Sequence, residues 1–103
     1  MFISVRRFEI RDDRLTPGVV TELVRSELVP EFEQIDGFRE YFLMDSRHPK
    51  LTSITICDTE IAAGQTNRAS QAFIQRSFRP GAVERIDVTT GNVLLAPSVI
   101  GHM

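Results

Sequence analysis

Residues 38–57 read FREYFLMD, SRHPK and LTSITIC, and this stretch decides the fold. The runs Phe38–Asp45 and Leu51–Cys57 are rich in β-branched and aromatic residues, which favour strands. Asp45 to Lys50, between and overlapping their ends, is rich in turn formers. The stretch therefore predicts two strands joined in an antiparallel hairpin.

A helix is predicted before this hairpin. Thr16 suits the N-cap, Pro17 suits the first helical position, and apolar residues then recur at helical spacing over 20–35. Pro30 falls inside this pattern, so we expect it to kink or end the helix near position 29, with 31–36 forming a second short turn.

A second helix is predicted after the hairpin. Asp58 or Thr59 can cap it, and it should run to about Ser77. The small residues of its predicted inner face would let the helix lie close to a sheet. That face contains Ala62, Thr66, Ala69, Ala72 and Phe73.

Strands are also predicted at Phe2–Ile10 and within Ile86–Ala96. The resulting order, β-α-β-β-α-β, is that of the ferredoxin-like fold of the α+β class. Right-handed crossovers then give an antiparallel sheet with two helices on one face. We expect a single domain over 1–103, in which 97–103 form a tail.

Apolar side chains are predicted on both faces of this sheet. In the second strand, Phe38, Phe42 and Met44 share one side, and Tyr41 and Leu43 the other. A sheet with one wet face should alternate more cleanly between apolar and polar residues. We therefore predict a homodimer that pairs through the sheet faces, against the simpler alternative of scattered surface hydrophobic residues.

Charge and composition exclude several partners. The net charge is −2, which argues against binding to nucleic acid or to an anionic membrane surface. We interpret Arg6, Arg7, Arg11 and Arg14 as a solvated edge, with an anion site as the minor alternative. No apolar run approaches the ~20 residues of a membrane span, so the cytoplasm is the expected location. A lone cysteine, Cys57, precludes an intrachain disulfide.

The segment Asp36-Gly37-Phe38-Arg39-Glu40-Tyr41-Phe42-Leu43 resembles the start of the second strand in the antibiotic-biosynthesis-monooxygenase (ABM)-like family. The similarity continues through Thr52–Ile56, Asp58, Glu60–Ala63 and Thr66–Ala69. This resemblance implies a dimeric α+β barrel with a small pocket in each subunit between helices and sheet. It also implies oxidation of quinol-like or polyaromatic substrates by O2 without metal or flavin; some relatives degrade haem.

The chain departs from that family in its catalytic side chains. It contains no tryptophan, and only His48 and His102 could supply an imidazole. A cofactor-free oxygenase must hold and stabilise a substrate anion with hydrogen-bond donors. The candidate pocket residues for that task and for its lining are Tyr41, Ser53, Thr55, Thr66, Asn67 and Phe73. No metal ligand set and no cofactor are predicted.

Structural explanations compete with the functional ones. Cys57 is most simply a small core residue, His48 a solvated turn residue, and Tyr41 a core residue with a hydrogen-bonded hydroxyl. Asn67 is a poor helix former, so it needs inward partners or is merely tolerated on the surface.

Two functions remain open. The first is a cofactor-independent monooxygenase that acts with O2 on a small aromatic or quinol-type substrate. It predicts an apolar pocket where at least two of Tyr41, Ser53, Thr55 and Asn67 converge. The second is a non-catalytic dimeric module that binds a small ligand or a partner, without converging titratable groups.

Overall fold

A computed structural model of the chain describes residues 1–97. Its elements, in chain order, are strand β1 (Phe2–Ile10), helix α1 (Pro17–Leu23), a π-helical segment (Val24–Leu28), helix α2 (Val29–Glu33), strands β2 (Phe38–Asp45) and β3 (Lys50–Cys57), helix α3 (Glu60–Ser77) and strand β4 (Val83–Asn92). The α+β class and the predicted order of elements are confirmed. The tail predicted at 97–103 lies outside the described residues apart from Pro97.

The sheet has the strand order β2-β3-β1-β4, and all neighbouring strands are antiparallel. This is the ferredoxin-like arrangement, because each crossover places one strand between the two that it connects. The helical stretch formed by α1, the π-helical segment and α2 is called the first helical layer here, and α3 the second. Both cover the same face of the sheet. Phe32 of α2 and Phe73 of α3 lie in one core with Ile10 and Leu51 from the sheet.

The caps that start the helices are those expected from the sequence. The Thr16 side chain accepts a hydrogen bond from the Val19 N–H at 3.2 Å, and Thr59 accepts one from the Ala62 N–H at 3.1 Å. Each bond satisfies a backbone donor that has no partner within its helix. The sequence therefore fixes where both helical layers begin.

The interruption of the regular helix expected near Pro30 is present, although the regular α-helix already ends at Leu23 and the short second helix covers Val29–Glu33 rather than 31–36. The backbone stays helical from Pro17 to Glu33 and changes to π-helical geometry over Val24–Leu28. Pro30 follows in the first turn of α2, where a helix needs no N–H from it.

Two predicted side-chain orientations are wrong. A bulge lies between Phe38 and Glu40, so Phe38 packs on the helix side of the sheet rather than beside Phe42. In α3, Ala72 is exposed, and the buried face contains Ser70 and Ala63 instead. Strand β4 begins at Val83 rather than Ile86, which brings Arg85 into the sheet.

The face of the sheet away from the helices is called the outer face here. It carries half-exposed apolar side chains: Phe42 is 51% exposed, Met44 46% and Ile86 50%. Partly buried Ile3, Val5, Ile54 and Ile56 continue this apolar surface. Within residues 1–97, no helix combines the length and the hydrophobicity needed to cross a membrane.

Candidate functional site

The candidate site is built around Arg6, which extends from β1 into the space between the sheet and α3. Arg6 is 0% exposed, so its interpretation as part of a solvated edge is wrong. Its Nε donates a hydrogen bond to Ser53 Oγ at 3.0 Å. Its Nη1 donates to Asn67 Oδ1 at 2.7 Å and to Thr55 Oγ1 at 3.1 Å, with Thr66 Oγ1 at 3.4 Å. Arg6 and these four residues are called the Arg6 cluster here.

Neighbouring hydrogen bonds orient the members of the Arg6 cluster. The Thr66 hydroxyl donates to the Ala63 carbonyl at 2.7 Å, so the Thr55 hydroxyl is the one that donates across the 3.0 Å contact with Thr66. Asn67 Nδ2 donates to Thr90 Oγ1 at 3.0 Å. With its NH2 group engaged there, Asn67 presents its carbonyl oxygen to Arg6.

The charge of Arg6 is buried among neutral groups. Burial is the main cause that lowers the pKa of Arg6 to about 10, and the nearby Arg85 acts in the same direction. Arg6 is still protonated at neutral pH. Burial also raises the pKa of Tyr41 to about 12, against the opposing effect of the Arg6 charge, so its phenol is a neutral donor.

The guanidinium of Arg6 has one nitrogen without a polar partner. Nη2 is buried and makes no hydrogen bond within the described residues. The ion pairs formed by residues 1–97 do not include Arg6. The ring of Phe32, whose centroid is 5.9 Å from the guanidinium carbon, offers a cation–π contact instead.

An apolar cavity of about 30 Å³ lies beside the Arg6 cluster. Arg6 pairs with Ser53 across β1 and β3, and Phe8 pairs with Leu51 one side-chain layer further on. That second layer borders the cavity. Its lining consists of Phe8, Val20, Val24, Leu28, Tyr41, Leu43, Leu51, Ser70, Phe73, Ile74, Phe78 and Val83.

The candidate pocket residues therefore fall into two adjoining groups. Ser53, Thr55, Thr66 and Asn67 meet at Arg6, whereas Tyr41 and Phe73 line the apolar cavity. The sequence interpretation missed Arg6 itself. Strand periodicity could have found it, because Arg6 lies on the same face of β1 as the buried residues at 4, 8 and 10.

A shallow groove of about 280 Å³ between α3 and β4 reaches the Arg6 cluster from the surface. Asn67 and Arg85 lie in this groove, and Arg85 Nη1 is 3.5 Å from the backbone carbonyl oxygen of Asn67. Arg85 is half-buried and forms no ion pair within residues 1–97. The groove thus brings a second cation near the cluster.

Two further reactive side chains, Cys57 and His48, do not belong to the Arg6 cluster. Cys57 is fully buried, and burial raises the pKa of its thiol, as suits a core residue. His48 is exposed in the β2–β3 turn. Within residues 1–97, His, Cys, Asp and Glu side chains form no group of three that could hold a metal ion.

Solved structures with the same fold include a protein described as a putative antibiotic biosynthesis monooxygenase from Deinococcus radiodurans, with a TM-score of 0.64 at 16% identity, over 93% of this chain and 95% of that one. Neither a protein family nor a curated protein matches the sequence. A dimeric ferredoxin-like protein from an uncultured marine organism has a TM-score of 0.68 at 7% identity, over 92% of this chain and 95% of that one. SnoaB, a cofactor-independent oxygenase from Streptomyces nogalater, has a TM-score of 0.66 at 10% identity, over 93% and 95%.

The haem degrader MhuD from Mycobacterium tuberculosis is similar as well, with a TM-score of 0.59 at 13% identity, over 93% of this chain and 98% of that one. The chain has their fold. The resemblance to ABM-like proteins seen in the sequence is thus confirmed at the level of the fold, across nearly the whole chain.

Proposed function

We propose that the chain is an ABM-type monooxygenase that acts with O2 on a small aromatic or quinol-type substrate. The observation that carries this proposal is a buried cation, Arg6, one side-chain layer from an apolar cavity between helices and sheet. An aromatic ring suits the apolar cavity, and a positive charge next to it suits the anions that form during oxygenation.

The proposed reaction draws its electrons from the substrate. When a hydroquinone becomes a hydroxyquinone, one oxygen atom of O2 enters the ring and the other leaves as water. The substrate loses four electrons, so no external reductant is needed. The protein has to stabilise the substrate anion that reduces O2 and the oxyanions that follow. We propose Arg6 and the Tyr41 hydroxyl as the donors for this, with no metal, flavin or haem.

The other predicted site residues would act on Arg6 rather than on the substrate. The Arg6 guanidinium donates hydrogen bonds to the side-chain oxygens of Ser53, Thr55, Thr66 and Asn67. We therefore propose them as positioning residues, and Phe73 as part of the apolar wall. In this proposal the four polar residues at the helix–sheet interface orient Arg6 and need not contact the ligand themselves.

The cavity must enlarge before it can hold a ring. Its volume of about 30 Å³ is far below the roughly 150 Å³ of an apolar cavity that binds benzene. Val24 and Leu28, at the two ends of the π-helical segment, line the cavity. Since π-helical turns are common at functional sites, we propose that this segment moves outward when the substrate binds.

A non-catalytic ligand-binding module is the second candidate. The small cavity favours it, and so do the cluster's oxygen atoms, which already bind Arg6. Oxygen consumption with a panel of hydroquinones separates the two candidates. The monooxygenase should consume O2 above the buffer rate, Asn67→Ala should lose most of that rate, and Asn92→Ala, at the exposed end of β4, should keep it. Rates at background for all three proteins would favour the binding module.

We also propose that two copies of the chain pair through the outer face of the sheet. Phe42, Met44 and Ile86 are each about half exposed there. A second copy would cover this apolar surface symmetrically. The similar structures include a dimeric ferredoxin-like protein, which supports the proposal. A cytoplasmic location stays a prediction from the sequence.

A further inference from the structure

We infer that the Arg6 Nη2 group binds an anionic oxygen carried by a small aromatic ligand. This inference names the substrate class of the proposed monooxygenase and rests on that function for its catalytic meaning. The ligand chemistry is a ring that bears a carboxylate or an ionised phenol. The site would therefore select the ionised form over the neutral form.

The first argument is the absence of a counter-charge around Arg6 within residues 1–97. The titratable groups that face it are Tyr41 from β2, Cys57 from β3 and Arg85 from β4, and none of them is anionic at neutral pH. The helices contribute only neutral groups to the guanidinium, through α3 and through Phe32 of α2. A buried cation without a paired anion is costly, so buried charges are normally paired.

The second argument is the geometry of the guanidinium. Four side-chain oxygens hold Nε and Nη1 at distances from 2.7 to 3.4 Å. The same planar group leaves Nη2 with two N–H donors and no acceptor in residues 1–97. Its remaining neighbour is the Phe32 ring, whose attraction for a cation is worth roughly 0.5–2 kcal/mol. Arg6 is thus held by four neighbouring side chains, with one buried donor group that has no acceptor within residues 1–97.

The third argument is the lack of a general base in the part of the Arg6 cluster that the structure describes. The Tyr41 phenol, with a pKa of about 12, is protonated at neutral pH. Arg6 is a cation there as well, and no carboxylate or imidazole joins them in the cluster. A substrate that reacts as an anion must therefore be ionised by Arg6 electrostatics or arrive already ionised.

The test uses probes that bind without turnover. In 4-nitrophenol, only the phenolate absorbs visible light, so a spectroscopic pH titration gives the pKa of the bound probe. A cation within about 4–6 Å lowers the pKa of an acid by about 1–3 units. We expect that shift with the wild type. Calorimetry with benzoate and its neutral isostere benzamide covers the carboxylate and should give at least about tenfold tighter binding of benzoate, since one pKa unit corresponds to a factor of ten.

Three variants make the outcome specific to Arg6. Arg6→Met should abolish both the shift and the preference for benzoate, whereas Arg6→Lys, which keeps the charge, should retain part of each. Arg47→Met, in the exposed β2–β3 turn, should behave as the wild type. Circular dichroism and urea unfolding report whether each variant folds, and the wild-type comparison of charged with neutral probes stands if Arg6→Met does not fold.

Several outcomes would overturn the inference. Equal affinity of the wild type for benzoate and benzamide, with no lowering of the nitrophenol pKa, would contradict it, and so would no binding of any probe at millimolar concentration. If only the nitrophenol pKa is lowered, the ligand's anionic group is a phenolate. If only benzoate is preferred over benzamide, that group is a carboxylate. Anion-selective binding without O2 consumption would refute the proposed monooxygenase and leave the anion site standing.

Discussion

Replacing Asn67 by aspartate should make the protein more stable, because the new carboxylate would give Arg6 the counter-charge it lacks. Asn67 Oδ1 already accepts from Arg6 Nη1 at 2.7 Å, so Asn67→Asp keeps the shape and adds a charge at the same atom. Thr90, which now accepts from Asn67 Nδ2, can turn its hydroxyl to donate to the second oxygen. The side chain is only partly buried, which limits the cost of desolvating the carboxylate.

The magnitude follows from the hydrogen bond that is altered. Hydrogen bonds to charged groups contribute about 1.5–3 kcal/mol, so Asn67→Ala should lower the free energy of unfolding by about that amount. A bond between two charged groups is stronger than one to a neutral amide. We therefore expect Asn67→Asp to raise the free energy of unfolding by about 1–2 kcal/mol at pH 7, a measurable part of the roughly 5–15 kcal/mol of a small domain.

Urea unfolding at fixed protein concentration measures both variants, and Asn92→Asp at the exposed end of β4 is the matched control. The Arg6 cation should lower the pKa of the introduced carboxyl below its ordinary value of about 4. The gain in stability should thus be fully present above pH ~4 and lost as the pH falls further. A destabilisation of more than about 1 kcal/mol at pH 7 would refute the reasoning, since it would mean that Arg6 needs no counter-charge.

Three further predictions concern the dimer, Tyr41 and the core. Phe42→Glu should convert a dimer into an 11.7 kDa monomer in analytical ultracentrifugation. Each protomer would lose the burial of about 100 Å² of ring surface, which contributes roughly 2.5 kcal/mol. Arg47→Glu in the turn should leave the dimer intact, and a monomeric wild type would contradict the pairing. Tyr41 is the only tyrosine, so ultraviolet titration should give its pKa as about 12 in the folded protein. Its contribution to stability is fully present below pH ~10 and is lost as the pH rises towards 12; titration near 10 would show an exposed phenol. Phe32→Ala should lower the free energy of unfolding by about 3–5 kcal/mol, because Phe32 is 0% exposed and packs on Phe38 and Tyr41; a loss below 1 kcal/mol would place it outside the core.

Local patterns were enough to predict the fold. The hairpin of β2 and β3, the threonine caps of both helical layers and the order of elements each depend on residues close together in the sequence. The predictions that were wrong depend on exceptions to simple periodicity. The bulge after Phe38 reverses the side on which its ring lies, and the π-helical segment ends the regular α-helix at Leu23, earlier than predicted.

The sequence by itself determined the ferredoxin-like order of elements and the apolar character of both sheet faces, because strand and helix periodicity are local properties of the chain. Only the tertiary structure decided the candidate site. Ser53, Thr55, Thr66 and Asn67 were chosen as a possible pocket for a ligand, but they converge on Arg6, which lies about 50 to 60 residues away along the chain. Burial of a charge depends on which strands and helices meet around it, and that meeting is set by packing over the whole domain rather than by the neighbours of Arg6 in the sequence.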